Sequence, residues 1–278
     1  MTDATRALDL DTQVERAREF AALHAADGPL VLPNAWDAGS ARLVERAGAK
    51  AIATTSGGVA WSLGVADGGG MDRTRAARVI REMVSVVNVP VTADIERGYG
   101  EALDELAATI EQVLAAGAVG INLEDSGGDP LYPPEQMAER IRTTRATADA
   151  FGVPLFINAR TDVFFGGSGD RDDAVNRAHI YAEAGADGIF LPGVYDIDLV
   201  RDLTGAIALP VNVMIGPLAA PIADLAAAGV RRASIGTRLL LAAYAHIEHA
   251  ARELLEDGTY TSYEQALAYP DVNGLFEK

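Results

Sequence analysis

Two short signatures recur along the whole chain, and they constrain its fold more than any other feature of the sequence. In the first, an Ala-Gly-Ala or Ala-Gly-Val step ends an amphipathic segment and a short apolar run follows, as at residues 47–49 and 116–118. In the second, a proline introduces the apolar run, as at Pro90 and Pro154. Glycine readily takes the left-handed conformation that ends a helix. The signatures therefore mark points where a strand begins, often directly after a helix.

Counted together, the signatures predict eight strands separated by helices that have one apolar face. The strands fall within residues 30–32, 51–55, 91–94, 120–124, 155–158, 188–191, 211–214 and 232–235, and the helices include residues 37–47, 73–87, 103–116, 134–151, 170–184 and 221–228. Eight strand–helix units without a linker or a break in composition indicate an α/β fold of the (β/α)8 TIM barrel type rather than a doubly wound sheet.

A length of 278 residues is compatible with one or two domains, and the absence of a compositional break favours one. We expect a single domain over residues 1–278, with the barrel at about 28–245 and an extended C-terminal helical tail at about 246–278. This tail is longer than one closing helix requires, so we expect it to pack on another subunit.

Composition and charge exclude several classes of function. The chain has 40 acidic and 23 basic residues, and its net charge of −17 argues against nucleic acid and anionic membrane surfaces as partners. No run of about 18 apolar residues occurs and the first residues are polar, so we expect a cytoplasmic protein. Cysteine is absent, which excludes disulfides and thiol nucleophiles. Lys50 precedes the second strand, at the end of the barrel away from the expected site, which excludes Schiff-base chemistry on it.

Alternation along the strands predicts which residues face the barrel lumen. Alternate residues of a barrel strand point to the helices and to the lumen, and barrel active sites lie at the carboxyl ends of the strands. Because apolar residues occupy the helix side, polar residues are expected inward on four strands: Thr92, Asp94 and Glu96, then Asn122 and Glu124, then Asn158 and Arg160, then Asn212. So many inward polar groups favour a functional site. The alternative is a buried Asp–Arg network that only holds the barrel end together.

Asp94, Glu96 and Glu124 place three carboxylates on neighbouring strand ends. Their mutual repulsion is best relieved by a hard divalent cation with oxygen ligands. Mg²⁺ is the simplest choice, with Mn²⁺ as a substitute, and one or two carboxylates would bind it directly while it keeps several waters. For Asp94 and Glu96 alone, a solvated acidic loop is the alternative.

Arg160 is the only cation at an inward-facing strand end. Its guanidinium suits a carboxylate or a developing oxyanion through paired hydrogen bonds. The alternative is a salt bridge to Glu124 or Asp162, and the two roles are compatible.

Two glycine-containing turns are further candidates for anion binding. Ser56-Gly57-Gly58 follows the second strand and offers backbone N–H groups that no side chain obstructs, although a plain turn explains it as well. Residues 235–238 begin the last helix, where barrels often bind phosphate, but an ordinary strand-to-helix turn also accounts for their glycine.

Together, these motifs resemble those of the isocitrate lyase/phosphoenolpyruvate mutase superfamily over about residues 32–243. The resemblance is carried by residues 55–59 with Asp67 downstream, by Ala93-Asp94-Ile95-Glu96-Arg97-Gly98-Tyr99-Gly100, by Asn122-Leu123-Glu124-Asp125 and by Asn158-Ala159-Arg160-Thr161-Asp162. It implies a Mg²⁺-dependent enzyme that makes or breaks a C–C or P–C bond next to a 2-oxo acid, through an enolate held on the metal.

The resemblance also implies roles for individual residues. Asp94 resembles the principal metal carboxylate, and Asp67, Glu96 and Glu124 resemble the residues that hold metal-bound water. The substrate contacts that it implies are Ser56, Gly57, Gly58, Asp94, Arg160 and Asn212, and the catalytic residues are Arg160, Glu124 and Ser56. Family members are commonly tetramers that exchange their last barrel helix, which implies a homo-oligomer with a swapped tail helix, a tetramer or a dimer.

Two departures from the family pattern affect the expected reaction. Glu96 stands where the family usually has aspartate, and the loop at residues 126–134 has neither the cysteine motif of the lyases nor the lysine and asparagine motif of the phosphonate enzymes. Asp125, Asp129 and Tyr132 are the remaining candidates for a general acid. Decarboxylation of a small oxo acid such as oxaloacetate needs no such acid, because carbon dioxide leaves unprotonated.

The function expected from the sequence is a Mg²⁺-dependent carbon–carbon lyase, of the decarboxylase or retro-aldol type. Its substrate would be a small 2-oxo- or 2-hydroxy-dicarboxylate. A phosphonopyruvate-type P–C hydrolase or mutase is the alternative within enzymes. A non-catalytic 2-oxo acid binding protein is the alternative from another class.

Overall fold

The computed structural model of the protein describes residues 8–126, 131–165 and 169–277. The molecule is built on a parallel sheet that curls almost into a closed barrel. Its strands are β1 (Leu30–Leu32), β2 (Asn34–Ala35), β3 (Ile52–Thr54), β4 (Val91–Asp94), β5 (Gly120–Glu124), β6 (Phe156–Arg160), β7 (Gly188–Leu191), β8 (Val211–Met214) and β9 (Arg232–Ser234). Neighbouring strands pair in the order β1-β9-β8-β7-β6-β5-β4-β3-β2.

Helices alternate with the strands, as a (β/α)8 barrel requires. They are α1 (Leu10–Leu23), α2 (Ala38–Arg46), α3 (Ser56–Ser62), α4 (Arg73–Val86), α5 (Leu103–Ala115), α6 (Pro134–Phe151), α7 (Arg171–Glu183), α8 (Ile197–Ala206), α9 (Ile222–Ala227), α10 (Arg238–Arg252) and α11 (Tyr269–Asn273). A π-helical turn at Glu253–Asp257 and a 3₁₀ turn at Thr261–Tyr263 lie between α10 and α11. The predicted fold class is confirmed.

The first predicted strand matches β1, and a short strand that was not predicted, β2, follows it directly after Pro33. Proline has no N–H to donate, so the hydrogen-bonding ladder breaks there. β1 pairs with β9, β2 pairs with β3, and the carbonyl of Pro33 accepts a bond of 3.2 Å from the N–H of Ala53. One continuous stretch of chain thus joins the two ends of the sheet and brings the barrel close to closure.

The alternation predicted for the strands is present. Ile121, Leu123 and Ile157 are fully buried in the apolar layer between strands and helices. Their neighbours Asn122 and Asn158 are also buried, and the amide of Asn158 donates to the side-chain oxygen of Asn122 at 2.9 Å. The lumen therefore contains buried polar side chains, and Asn122 and Asn158 bond to each other there.

Helix α1, which the strand signatures do not predict, packs across the amino ends of the strands. Asp9 caps it by accepting from the N–H of Thr12 at 3.0 Å. Its Phe20 makes an edge-to-face contact with Phe156, the first residue of β6, and His24 stacks on the same ring with centroids 4.0 Å apart. This aromatic group covers the end of the barrel opposite the carboxyl ends of the strands.

Candidate active site

A cavity of about 340 Å³ opens at the carboxyl ends of the strands. Four of the predicted site residues line it: Ser56, Asp67, Asp94 and Arg160. The rest of the described lining consists of Asn34, Thr55, Trp61, Asn122, Phe165, Phe190, Pro192, Met214, Ser234, Ile235, Gly236, Thr237, Arg238 and Leu241. Residues from eight different segments thus converge where barrel enzymes place their chemistry.

Asp94, the last residue of β4, is fixed through one carboxylate oxygen and free at the other. Its Oδ2 accepts from the N–H of Ser56 at 3.2 Å, and its own N–H donates to Oγ1 of Thr54 at 2.8 Å. Oδ1 is buried and has no hydrogen-bond partner among the described residues. A buried carboxylate oxygen without a donor is costly unless a ligand or cation satisfies it.

Ser56, Gly57 and Gly58 form the first turn of α3, so a plain turn does not describe them, and their binding of an anion stays a prediction. Their N–H groups have no partner inside the helix because they belong to its first turn. A Cβ on Gly57 would lie 2.9 Å from Oδ2 of Asp67, and one on Gly58 would lie 2.6 Å from a carbon of Thr55. Close packing against Asp67 and Thr55 therefore requires glycine at both positions.

Glu96 lies in a loop whose backbone is strained. Its φ is 51°, a left-handed conformation that costs a non-glycine residue energy, and Tyr99 has a φ of 53°. Burial, and then the charges of Asp94 and Asp67, raise the pKa of Glu96 to about 7. Its Oε1 is buried without a partner among the described residues.

Arg140 of α6 holds this strained loop in place from beneath. Its guanidinium donates to the backbone carbonyls of Arg97, Gly100 and Glu101, at 2.9 Å for the last two. The Arg140 side chain is almost completely buried, with a residue exposure of 1%. The conformation of residues 96–101 therefore depends on a charged anchor from a distant helix.

Glu124 and Arg160 are paired across β5 and β6. Nη1 of Arg160 lies 2.8 Å from Oε2 of Glu124, while Nε and Nη2 donate to the two carboxylate oxygens of Asp162 at 2.6 and 2.9 Å. The hydroxyl of Ser126 donates to the other oxygen of Glu124 at 2.5 Å. Burial nevertheless raises the pKa of Glu124 to about 7. Both salt bridges considered for Arg160 are thus formed together.

The donor set fits a hard divalent cation that takes one or two carboxylates and completes its shell with water. Asp94 and Glu96 each present a buried oxygen without a partner among the described residues. Burial and the charge of Asp94 raise the pKa of Asp67, which shows that negative charge accumulates here. No three carboxylates or histidines in the described ranges converge on one point as direct ligands. Assignment of Asp67, Asp94, Glu96 and Glu124 to a metal stays a prediction.

Asn212 lies deeper than the sequence interpretation suggests. It is completely buried, its Oδ1 accepts from the Ser234 hydroxyl at 3.2 Å, and its Nδ2 has no partner among the described residues. The other five predicted site residues are not among the described residues that line the cavity: Gly57, Gly58, Glu96, Glu124 and Asn212. A substrate contact by Asn212 therefore stays a prediction.

The candidates for a general acid near the loop have other contacts. Asp125 is completely buried, and its Oδ2 accepts from the Tyr181 hydroxyl at 2.7 Å and from Arg177 at 3.0 Å. The Tyr132 hydroxyl donates to Glu101 at 2.7 Å. Asp129 lies outside the described residues. Asp125 also links the end of β5 to the segment after β6, since its Oδ1 accepts from the N–H of Asp162 at 3.1 Å.

Several cavity residues were not singled out from the sequence. Trp61 lies on α3, and Phe165 and Phe190 flank Arg160 with ring centres 5.3 and 5.7 Å from its guanidinium carbon. Arg238 at the start of α10 also lines the cavity, and it belongs to the turn at residues 235–238 that the sequence indicated only weakly. The aromatic residues carried none, because an aromatic side chain at a strand end is equally compatible with the core.

Comparison with known proteins agrees with this geometry. The family model described as phosphoenolpyruvate phosphomutase matches residues 20–255. The chain belongs to this family, within the isocitrate lyase/phosphoenolpyruvate mutase superfamily. The recognition made from the four sequence motifs is thereby confirmed.

Individual relatives extend the likeness. The chain is 32% identical to the 2-methylisocitrate lyase of Escherichia coli K12 over 205 residues, 70% of this chain and 68% of that protein. A crystal structure of a Burkholderia cenocepacia J2315 protein has a TM-score of 0.90 and 38% identity, covering 96% of this chain and 98% of that one. The structure of 2,3-dimethylmalate lyase has a TM-score of 0.83 and 26% identity, covering 95% and 94%. These similarities support an enzyme of the lyase type.

Proposed function

We propose that this protein is a Mg²⁺-dependent carbon–carbon lyase acting on a small 2-oxo- or 2-hydroxy-dicarboxylate. One observation carries the proposal: the unpartnered buried oxygens of Asp94 and Glu96 lie near a cavity that also contains Arg160. Mn²⁺ would serve as a substitute metal. The 2-methylisocitrate lyase and 2,3-dimethylmalate lyase relatives support a carboxylic acid substrate.

The residues of the chain would have distinct roles in metal binding and substrate binding. Asp94, with Asp67, Glu96 and Glu124 around it, would hold Mg²⁺, which polarises the 2-oxo group when bound. The first-turn N–H groups of Gly57 and Gly58 would bind the substrate carboxylate, because such groups carry partial positive charge. Ser56 would contribute its hydroxyl.

Arg160 would stabilise negative charge as it develops on the reacting acid. Its contacts with Glu124 and Asp162 hold the guanidinium plane in one orientation, so no reorganisation is needed when charge appears. Phe165 and Phe190 place their rings 5.3 and 5.7 Å from the guanidinium carbon, within the range of cation–π attraction.

Decarboxylation fits the side chains better than a cleavage that needs a strong acid. Asp125 and Tyr132 are both engaged away from the cavity, so neither is placed to protonate a departing group. Loss of carbon dioxide requires no proton on the leaving group, and water can protonate the carbon afterwards. Oxaloacetate is therefore the first substrate to test.

Two alternatives remain open to direct test. The family model is described by phosphoenolpyruvate phosphomutase, which favours P–C chemistry on a phosphonopyruvate-type substrate as the second candidate function. A protein that binds 2-oxo acids without turnover would use the same pocket and would need no acid.

The deciding experiment is an activity assay of the purified protein with Mg²⁺ against oxaloacetate, 2-methylisocitrate and phosphonopyruvate. We expect pyruvate to appear from oxaloacetate or from 2-methylisocitrate. Phosphate release from phosphonopyruvate alone would support the P–C enzyme. Ligand-induced stabilisation by a 2-oxo acid without product from any substrate would support the binding protein and contradict the lyase.

We also propose that the protein is a homo-oligomer, a tetramer or a dimer, in which the tail helices cover a neighbouring barrel. An apolar groove of about 380 Å³ lies outside β1, lined in part by Val31, Leu43 and Leu239, and Val31 is 42% exposed. The tail also presents exposed apolar side chains, among them Leu255 at 83% and Tyr269 at 80%. Sedimentation of the full chain tests this, and a monomer at micromolar concentration would contradict it.

The expected domain organisation and location complete the proposal. One domain over residues 1–278 and a cytoplasmic location both stay predictions. Among the described residues, no helix has the length and the apolar character that crossing a membrane requires.

A further inference from the structure

We propose that Arg238 binds the second anionic group of the substrate and thereby selects acids with two anionic ends. This inference rests on the proposed function, because it assigns the far end of a substrate whose 2-oxo end lies at Asp94. From the sequence, residues 235–238 are predicted only as a strand-to-helix turn of the kind that often binds phosphate in barrels. The structure gives the turn a specific side chain facing the cavity.

Arg238 is well separated from Arg160 around the barrel. It is the first residue of α10, directly after β9, whereas Arg160 ends β6, and β7 and β8 lie between them in the sheet. Both side chains line the same cavity. A ligand spanning the cavity can therefore meet one arginine near each end.

The Arg238 side chain extends across the loop that follows β8. A Cβ built on Gly216 would lie 3.4 Å from Nε of Arg238 and 3.8 Å from its Cζ and one terminal nitrogen. The guanidinium therefore rests against the Gly216 backbone rather than projecting away from the barrel. Glycine at position 216 leaves room for this arrangement.

The charges of the two arginines are used differently. Arg160 is already paired with Glu124 and Asp162. In residues 8–126, 131–165 and 169–277, no hydrogen bond or ion pair involves the Arg238 guanidinium. An anionic group that enters the cavity would find the donors of Arg238 unused.

Arg238 is exposed to solvent, so its donors are open to an incoming anion. Met214 and Leu241 also line the cavity, and Leu241 lies three residues along α10, on the neighbouring turn of the same helix face. A guanidinium also matches a planar carboxylate through two parallel hydrogen bonds. The inferred partner is a carboxylate, or a phosphonate of similar charge, at the distal end of a 2-oxo acid.

The test compares acids that differ in their distal group. With saturating Mg²⁺, the wild-type protein, Arg238→Met, Arg238→Lys and Arg231→Met are titrated calorimetrically with pyruvate, 2-oxoglutarate and phosphonopyruvate, and the KM for oxaloacetate is measured. Pyruvate has no distal anion. Arg231 is an exposed arginine at the amino end of β9, so Arg231→Met makes the same charge change away from the cavity.

We expect Arg238→Met to weaken the binding of 2-oxoglutarate and to raise the KM for oxaloacetate, each by about tenfold to a hundredfold. This is the range for a lost charged hydrogen bond. The affinity for pyruvate should change by less than about twofold, and Arg238→Lys should recover part of the affinity lost for the dianionic acids. Arg231→Met should match the wild type. If the binding of phosphonopyruvate is weakened most, the preferred distal group is a phosphonate, which supports the same inference with a different anion.

Two results would overturn the inference while the proposed function survives. One is a wild-type preference for dianionic acids that Arg238→Met leaves intact, and the other is an equal loss for pyruvate and the dianionic acids. If the wild-type protein with Mg²⁺ binds none of these acids, the proposed function fails, and the inference fails with it.

Discussion

Glu124 and Arg160 are register partners at the ends of β5 and β6, and Nη1 of Arg160 lies 2.8 Å from Oε2 of Glu124. The backbone pairing of two strands therefore sets the distance between an acid and a base at the mouth of the cavity. Asp162, two residues after Arg160, binds the other side of the same guanidinium. This arrangement makes the pair sensitive to substitution in a way that can be measured.

Replacing Arg160 by methionine should both destabilise the fold and abolish activity. Glu124 and Asp162 would lose their partner while remaining largely buried, which costs about 3 to 5 kcal/mol of unfolding free energy. Urea denaturation measures this loss. Arg171→Met, which breaks the exposed contacts with Asp172 and Asp202, is the control and should leave both stability and activity unchanged. Equal effects of the two substitutions would contradict a special role for Arg160.

Replacing Asp94 by asparagine should weaken metal binding without unfolding the protein. Asparagine can still accept from the N–H of Ser56 but has no negative charge to offer a cation. We expect the affinity for Mn²⁺, followed by electron paramagnetic resonance, to fall at least about tenfold. Asp72→Asn, at the exposed cap of α4, is the matched control. Unchanged Mn²⁺ affinity in Asp94→Asn would show that the metal binds elsewhere.

Arg140 should control the metal site without contacting it. Arg140→Met leaves the carbonyls of Arg97, Gly100 and Glu101 without their shared donor, so the loop that carries Glu96 should lose its conformation. We expect Mn²⁺ affinity to fall by about tenfold or more, together with a loss of stability. Arg140→Lys should be less severe.

The control for this experiment is Arg142→Met, an exposed arginine on the same helix. It should behave like the wild type. Normal Mn²⁺ affinity in a folded Arg140→Met protein would mean that the loop keeps its conformation without the anchor.

His24 should make stability fall in mild acid. Burial, and then the charge of Arg232, lower the pKa of His24 to about 3, whereas an unfolded histidine has a pKa near 6.5. Below pH 6.5 the unfolded chain binds a proton that the folded chain does not, so the unfolding free energy decreases as pH falls from about 6.5 towards 3. This histidine alone contributes a loss of about 2 kcal/mol between pH 7 and pH 5.

Urea denaturation at the two pH values checks this effect. In His24→Phe, which keeps an aromatic ring beside Phe156, the fall in stability between pH 7 and pH 5 should be smaller by that amount. His179→Gln, at an exposed position on α7, should show the same pH dependence as the wild type. An unchanged slope in His24→Phe would mean that His24 becomes protonated in the folded state.

Local sequence determined the number of strand–helix units, most of their bounds and the alternation within the strands. Helix-ending glycines act locally: Gly117 and Gly185, with φ of 95° and 105°, take the left-handed conformation that their sequence context predicts. Alternation also predicted that Asn122, Asn158 and Arg160 share one lumen, because the period of a strand is fixed by backbone geometry. The strand ends also predicted the carboxylates Asp94, Glu96 and Glu124 together, and the family motifs added Asp67.

Only the tertiary structure decided how these groups are partnered. Arg140 and the loop at residues 97–101 are about 40 residues apart, and no local pattern relates them. Asp125 looked like a candidate acid in the sequence but is enclosed by Arg177 and Tyr181 from α7. Arg238 becomes a cavity residue because β9 pairs with β8, which places the start of α10 three strands along the sheet from β6 at the same cavity. Periodicity and capping follow from the chain's local geometry, whereas pairing and exposure follow from contacts between segments distant in sequence.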